Sequence, residues 1–105
     1  MKPLKKLWVL NYKVEFTNEF KRGVKLARKQ GKDLKKLNFV IRELKEGKIL
    51  DEKYRDHQLK GDYKGCHECH IEPDWLLIYD RIESKLIILM LRTCTHADLK
   101  KKNKG

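Results

Sequence analysis

Between Trp8 and Phe16 every even position is apolar (Trp8, Leu10, Tyr12, Val14, Phe16), while Asn11, Lys13 and Glu15 fall on the other side. A period of two puts alternate side chains on opposite faces of an extended chain, so this stretch predicts a half-buried strand. Thr17 or Asn18 then offers a side-chain oxygen to cap a helix, and the apolar period lengthens. A first helix is expected from about Asn18 to Gln30, with Phe20, Val24 and Ala27 on one face and Gly31 as its stop. Asp33 caps a second helix in which Leu34, Leu37, Val40 or Ile41, and Leu44 recur three and four residues apart, with Gly47 just past its end. Two amphipathic helices in succession need a sheet against which to lay their apolar stripes.

The sheet has to come from the second half. Ile49 to Lys64 shows no period, and Gly61, Asp62 and Gly65 mark turns, so the expectation is a loop with a short strand around Tyr63. His67 to Ile71, Trp75 to Ile82 and Leu86 to Arg92 read as three further strands. The last two are joined as a hairpin at Glu83-Ser84-Lys85, and Pro73, which has no N–H for a ladder, marks the turn before Trp75. Their near-continuous apolar runs suit central strands covered by the helices. The predicted architecture is α+β: an N-terminal strand, then a two-helix hairpin packed on one face of a mainly antiparallel four-stranded twisted sheet whose other face stays open. Residues 1–105 form one domain, with no repeat, and the lysine-rich stretch from Ala97 is expected to add a short helical turn.

Charge narrows the choice of partners. Lys and Arg number 26 against 15 acidic residues, a net charge of +11. A field that strong raises encounter rates with polyanions such as nucleic acid, an acidic membrane surface or an acidic protein. It also exceeds the charge of about 2–8 that keeps a small domain soluble. The apolar run Leu7 to Leu10 is four residues long, short of a secretory segment (about 7–15) or a membrane span (about 20). The cytoplasm is therefore the expected location, where three cysteines stay reduced.

All four histidines and all three cysteines lie in two segments, Asp56 to Trp75 and Thr93 to Lys100. Cys66-His67-Glu68-Cys69-His70 matches the C-x-x-C-H pattern of covalent haem attachment, and two Cys with two His are also zinc ligand types. If the segment is a strand, however, Cys66, Glu68 and His70 face one way and His67 and Cys69 the other, which splits either ligand set. The alternative is acid–base chemistry. Imidazoles titrate near pH 6.5, so a pair can supply one proton donor and one acceptor at neutral pH. Cleavage of RNA by its own 2′-hydroxyl needs those two roles, with cations to stabilise the charged phosphorane. His57, His70 and His96, with Lys60 and Arg92, supply the parts.

The run DHQLKG (Asp56 to Gly61), then Tyr63-Lys64-Gly65, ECHIEPDWLLIY (Glu68 to Tyr79) and RTCTHADL (Arg92 to Leu99) resembles the YafQ branch of the RelE/ParE-like toxins of type II toxin–antitoxin systems. The resemblance covers nearly the whole chain. It implies a RelE-like fold and a ribosome-dependent mRNA endoribonuclease that cuts translating messages in the A site without metal or other cofactor. It also implies a cognate antitoxin, acidic enough to neutralise a basic groove, and no membrane. The positions that match the branch's functional residues are His57, His70, Asp74, Trp75 and His96. His96 is expected as general acid, Asp74 and His70 as base or base-orienting pair, and His57 as phosphate positioner. Lys60, Lys64, Arg92 and Lys100 are expected to contact substrate, and Trp75 either stacks on it or belongs to the core. Two departures stand out: Cys66 and His67 replace an aromatic and an Arg common in the branch, and Lys100 replaces a terminal aromatic. The competing readings are a non-cleaving RelE/ParE-like toxin or basic nucleic-acid-binding module, and a haem or zinc protein using Cys66 to His70.

Overall fold

A computed structural model describes residues 11–63 and 65–99. Trp8 and Leu10 of the expected first strand, and Lys64 and Lys100 of the expected substrate contacts, lie outside them. Strand β1 spans Lys13–Phe16. Of its apolar set Tyr12 is buried, Val14 is half-buried, and Phe16 is 45% exposed, resting against Phe20 at 5.3 Å between ring centroids.

Helix α1 runs Asn18–Lys29 and α2 Leu34–Lys45, within a residue or two of expectation at each end. Thr17 caps α1, its Oγ1 accepting from Phe20 N at 3.0 Å while donating to the Leu91 carbonyl at 2.7 Å. The cap thus also ties the helix to the sheet. Asp33 caps α2 through Lys35 N at 3.0 Å. Past α2, Gly47 takes φ +72°, a left-handed conformation that a Cβ would strain, and Lys48 N returns to the Glu43 carbonyl at 3.0 Å to close the helix end.

The remaining strands are β2 (His57–Gln58), β3 (His67–Glu72), β4 (Trp75–Ile82) and β5 (Ile87–Cys94). They form a five-stranded sheet in the order β1-β5-β4-β3-β2, antiparallel throughout except that β1 lies parallel to β5. The α+β class and the helical hairpin agree with expectation. The sheet has a fifth strand, at His57–Gln58, while the strand expected near Tyr63 is a short 3-10 turn, Gly61–Tyr63.

The helices cover one face. Phe20 and Ala27 of α1 and Leu37, Val40 and Leu44 of α2 pack with Cys69, Ile71, Trp75, Leu77, Tyr79, Ile88 and Met90. At about 25 cal/mol per Å² of apolar surface, this burial is the main force holding the hairpin to the sheet. The second face is not open across its width. Leu76 and Ile78, which alternate with the helix-facing residues of β4, are fully buried. Arg92, paired with Ile78, donates to the Asp98 carbonyl at 2.8 Å and the Tyr63 hydroxyl at 3.4 Å, tying the last turn and the 61–63 turn to that face.

Candidate active site

Strand register explains why residues far apart in sequence meet. His57 of β2 pairs directly with Glu68 of β3, so their side chains are cross-strand neighbours. His70, two residues on from Glu68, points the same way. It pairs with Leu76, and Leu76 with Cys94 at the end of β5. The β3–β4 turn carrying Asp74 therefore lies against the residues that follow β5, where Thr95 caps the last turn (Asp98 N to Thr95 Oγ1, 3.2 Å) and presents His96.

The result is a row of three imidazoles across the strand ends. Ring centroids are 6.2 Å apart for His57 and His70 and 5.5 Å for His70 and His96. Asp74 Oδ1 accepts from both His96 Nδ1 at 2.6 Å and His96 N at 3.0 Å. These two bonds, the backbone one first, hold the Asp74 carboxyl below its usual range. A carboxylate on Nδ1 fixes the ring and its tautomer and leaves Nε2 to face outward. At the other end of the row, His57 Nδ1 donates to the Arg55 carbonyl at 2.6 Å, and its Nε2 lies 3.2 Å from Glu68 Oε1. The same oxygen is 3.7 Å from His70 Nε2.

His57, His70, Asp74 and His96 are thus brought together, with one change of pairing. Asp74 is bonded to His96 rather than to His70, whose carboxylate neighbour is Glu68. Glu68 is the residue that sequence reasoning missed. It is 6% exposed, and a buried carboxylate between two imidazoles is held there for its partners. The available signal was its period-two position on the face of His70.

Trp75 does not offer a stacking surface. It is 1% exposed on the helix-facing side of β4, and its Nε1 donates to Thr93 Oγ1 at 2.9 Å. Its alternation with Leu76 sends it away from His70, so the core is its place. Arg92 is 8% exposed and committed to Asp98, Tyr63 and Glu19 (3.6 Å), so it frames the site from below and is not a free cation. Lys60 is exposed on the loop after β2.

The C-x-x-C-H run lies split as its alternation predicts. Cys69 is buried on the helix side with its thiol pushed far up by burial, and His67 stacks on Tyr79 at 5.2 Å. Tyr79 in turn donates to Asp56 at 2.8 Å, anchoring the residue before His57. Among the described residues, no group of three or more His, Cys, Asp or Glu is placed to hold a metal ion, nor is any helix long and apolar enough to cross a membrane.

Solved structures share this fold. The crystal structure of YafQ from Escherichia coli strain BL21(DE3) superposes with a TM-score of 0.79 at 36% identity, covering 85% of this chain and 98% of that one. The toxin in the E. coli DinJ-YafQ toxin–antitoxin complex gives 0.78 at 37%, over 85% and 97%. The fold is that of the RelE-like class of small α+β toxins. Residues 12–101 match the family model described as bacterial toxin of type II toxin–antitoxin system, YafQ. The mRNA interferase toxin YafQ of E. coli strain K12 is 40% identical over 87 residues, 82% of this chain and 92% of the relative. The chain belongs to the YafQ family of type II toxins.

Proposed function

We propose that the chain is an endoribonuclease that cuts messenger RNA in the ribosomal A site by acid–base catalysis from its own side chains. Family membership and the mRNA interferase named among its relatives support cleavage of message. The observation that carries the mechanism is the 2.6 Å bond between His96 Nδ1 and Asp74, which fixes the direction of His96 Nε2, a proton donor when the ring carries a proton on both nitrogens.

A base takes the proton of a 2′-hydroxyl, O2′ attacks the adjacent phosphorus, and the bond from phosphorus to O5′ breaks. His96 gives its Nε2 proton to that departing oxygen. The products are a 2′,3′-cyclic phosphate and a 5′-hydroxyl. His70, oriented by Glu68, is the base of this scheme. His57 steadies a phosphate oxygen, and Lys60 draws the polyanion toward the row. Each proton-transfer group contributes about 10²–10⁴ in rate, or about 3–5 kcal/mol of barrier.

Two partners complete the reading. The ribosome supplies the message in the A site, and an acidic antitoxin neutralises the basic surface, as DinJ partners the toxin in the E. coli complex. The cytoplasm, where translation takes place, is the compartment this requires. His96→Ala tests the mechanism. In a translating extract the variant is expected to lose at least about 10²-fold in cutting rate with an unchanged circular dichroism spectrum, since His96 is exposed. Cutting within a few-fold of the unsubstituted chain would overturn the assignment.

A further inference from the structure

Beside the histidine row the surface opens into a cleft of about 780 Å³ whose wall includes His70 and Asp74. That volume lies in the range of small-ligand sites, about 300–1,000 Å³. The start of α2 and the residue before its cap give it Lys35 and Lys32, and the segment after α2 gives it Lys53 and Arg55. Among the described residues none of these four cations is within ion-pair distance of a carboxylate. The two carboxylates of the cleft are already engaged, Glu72 with Lys36 at 2.6 Å and Asp74 with His96. Two aromatic rings lie among the cations. Phe39 is 47% exposed, on a helix whose buried stripe is Leu37, Val40 and Leu44, so packing does not account for it. Tyr54 is half-buried against the core, with Lys53 Nζ 5.2 Å from its ring centre.

We propose that this cleft binds the single-stranded RNA next to the scissile phosphodiester, seating a base against Phe39 and Tyr54 and phosphates on Lys35, Lys53 and Arg55. The inference rests on the cleavage reading above. Cations interleaved with exposed aromatic faces are the means by which proteins hold single strands, since every base has a face to stack. An acidic peptide would use the cations, but it has no need of the rings or of continuity with His70 and Asp74. The cleft therefore extends the substrate path away from the catalytic row, where contacts raise affinity and set which neighbouring nucleotides are accepted.

The test is fluorescence anisotropy of a labelled, uncleavable 2′-O-methyl RNA strand titrated with the purified chain at low salt. Stacking is worth about 1–3 kcal/mol per base, so Phe39→Ala is expected to weaken binding by about 5–150-fold. Lys35→Ala combined with Lys53→Ala should lower the salt slope by about 1.4, from about 0.7 per phosphate. Lys25→Ala, which removes one charge from α1 away from the cleft, should change affinity by less than about twofold. Unchanged affinity in Phe39→Ala, or an equal loss in Lys25→Ala, would overturn the proposal. So would variants that keep RNA affinity but lose binding to a polyglutamate peptide, which would assign the cleft to an acidic protein segment. Failure of the unsubstituted chain to cut message in a translating extract would count against the cleavage reading alone, because the anisotropy does not depend on cutting.

Discussion

His57 lies between two oxygen acceptors, the Arg55 carbonyl on Nδ1 and Glu68 Oε1 beside Nε2. The same Glu68 oxygen is 3.7 Å from His70 Nε2, so one buried carboxylate stands between the two rings and can set the direction of both. Glu68→Gln preserves shape but changes one acceptor oxygen to a donor, and we expect the single-turnover cutting rate to fall by about 10²-fold with little loss of thermal stability. A rate near that of the unsubstituted chain would show that Glu68 does not orient the imidazoles. Asp74 gives a pH prediction. Its folded-state carboxyl titrates below the ordinary 3.8. Its stabilising effect is therefore present above that value and lost as pH falls through the lower folded value. Melting curves from pH 7 to pH 2 should show the chain losing more stability below about pH 4 than Asp74→Asn does. Parallel curves would show that the Asp74–His96 bond does not contribute to stability. The residues legible from sequence were the histidines, because imidazoles are few and were clustered. Glu68 was one of 15 acidic residues, and only its buried setting distinguishes it. Trp75 was ambiguous because an aromatic at a strand start serves a core or a stack equally well, and burial settles it.

At the level of elements, the longest apolar periods were read most accurately. β4 spans Trp75–Ile82 as expected, and both helices start at their expected caps. A two-residue strand such as β2 has no period to detect, and it exists only because His57 and Gln58 pair across to β3. The extent of the buried second face was likewise hidden, since Leu76 and Ile78 could be covered or bare with the same sequence pattern. One contact between elements holds the site's last strand in place. A Cβ on Gly23 of α1 would come within 2.2 Å of the Thr93 carbonyl oxygen. Alanine is the better helix former by about 1 kcal/mol, but relieving such an overlap costs about 1–3 kcal/mol. Gly23→Ala should therefore lower the melting temperature and displace the end of β5 that leads to His96, reducing cutting as well. A raised melting temperature would show that α1 and β5 have room to separate.

Across the whole molecule, a net charge of +11, a sheet that gathers single residues from four segments, and a cationic cleft lie together. The Cys66 to His70 run, the most conspicuous short motif in the sequence, contributes Glu68 and His70 to the site and buries Cys69 in the core. In the proposed mechanism the chemistry belongs to the row from His57 to His96 and not to a contiguous box. We expect this row to drive attack by the RNA's own 2′-hydroxyl. The most direct measurement is end-group analysis of a message cut on programmed ribosomes by the purified chain, alongside the same message carrying a single 2′-deoxy substitution at the cut position. The expected result is a 2′,3′-cyclic phosphate or its 3′-phosphate hydrolysis product, a 5′-hydroxyl, and no cut at the deoxy position. A 3′-hydroxyl with a 5′-phosphate, or cutting that persists at the deoxy position, would contradict it.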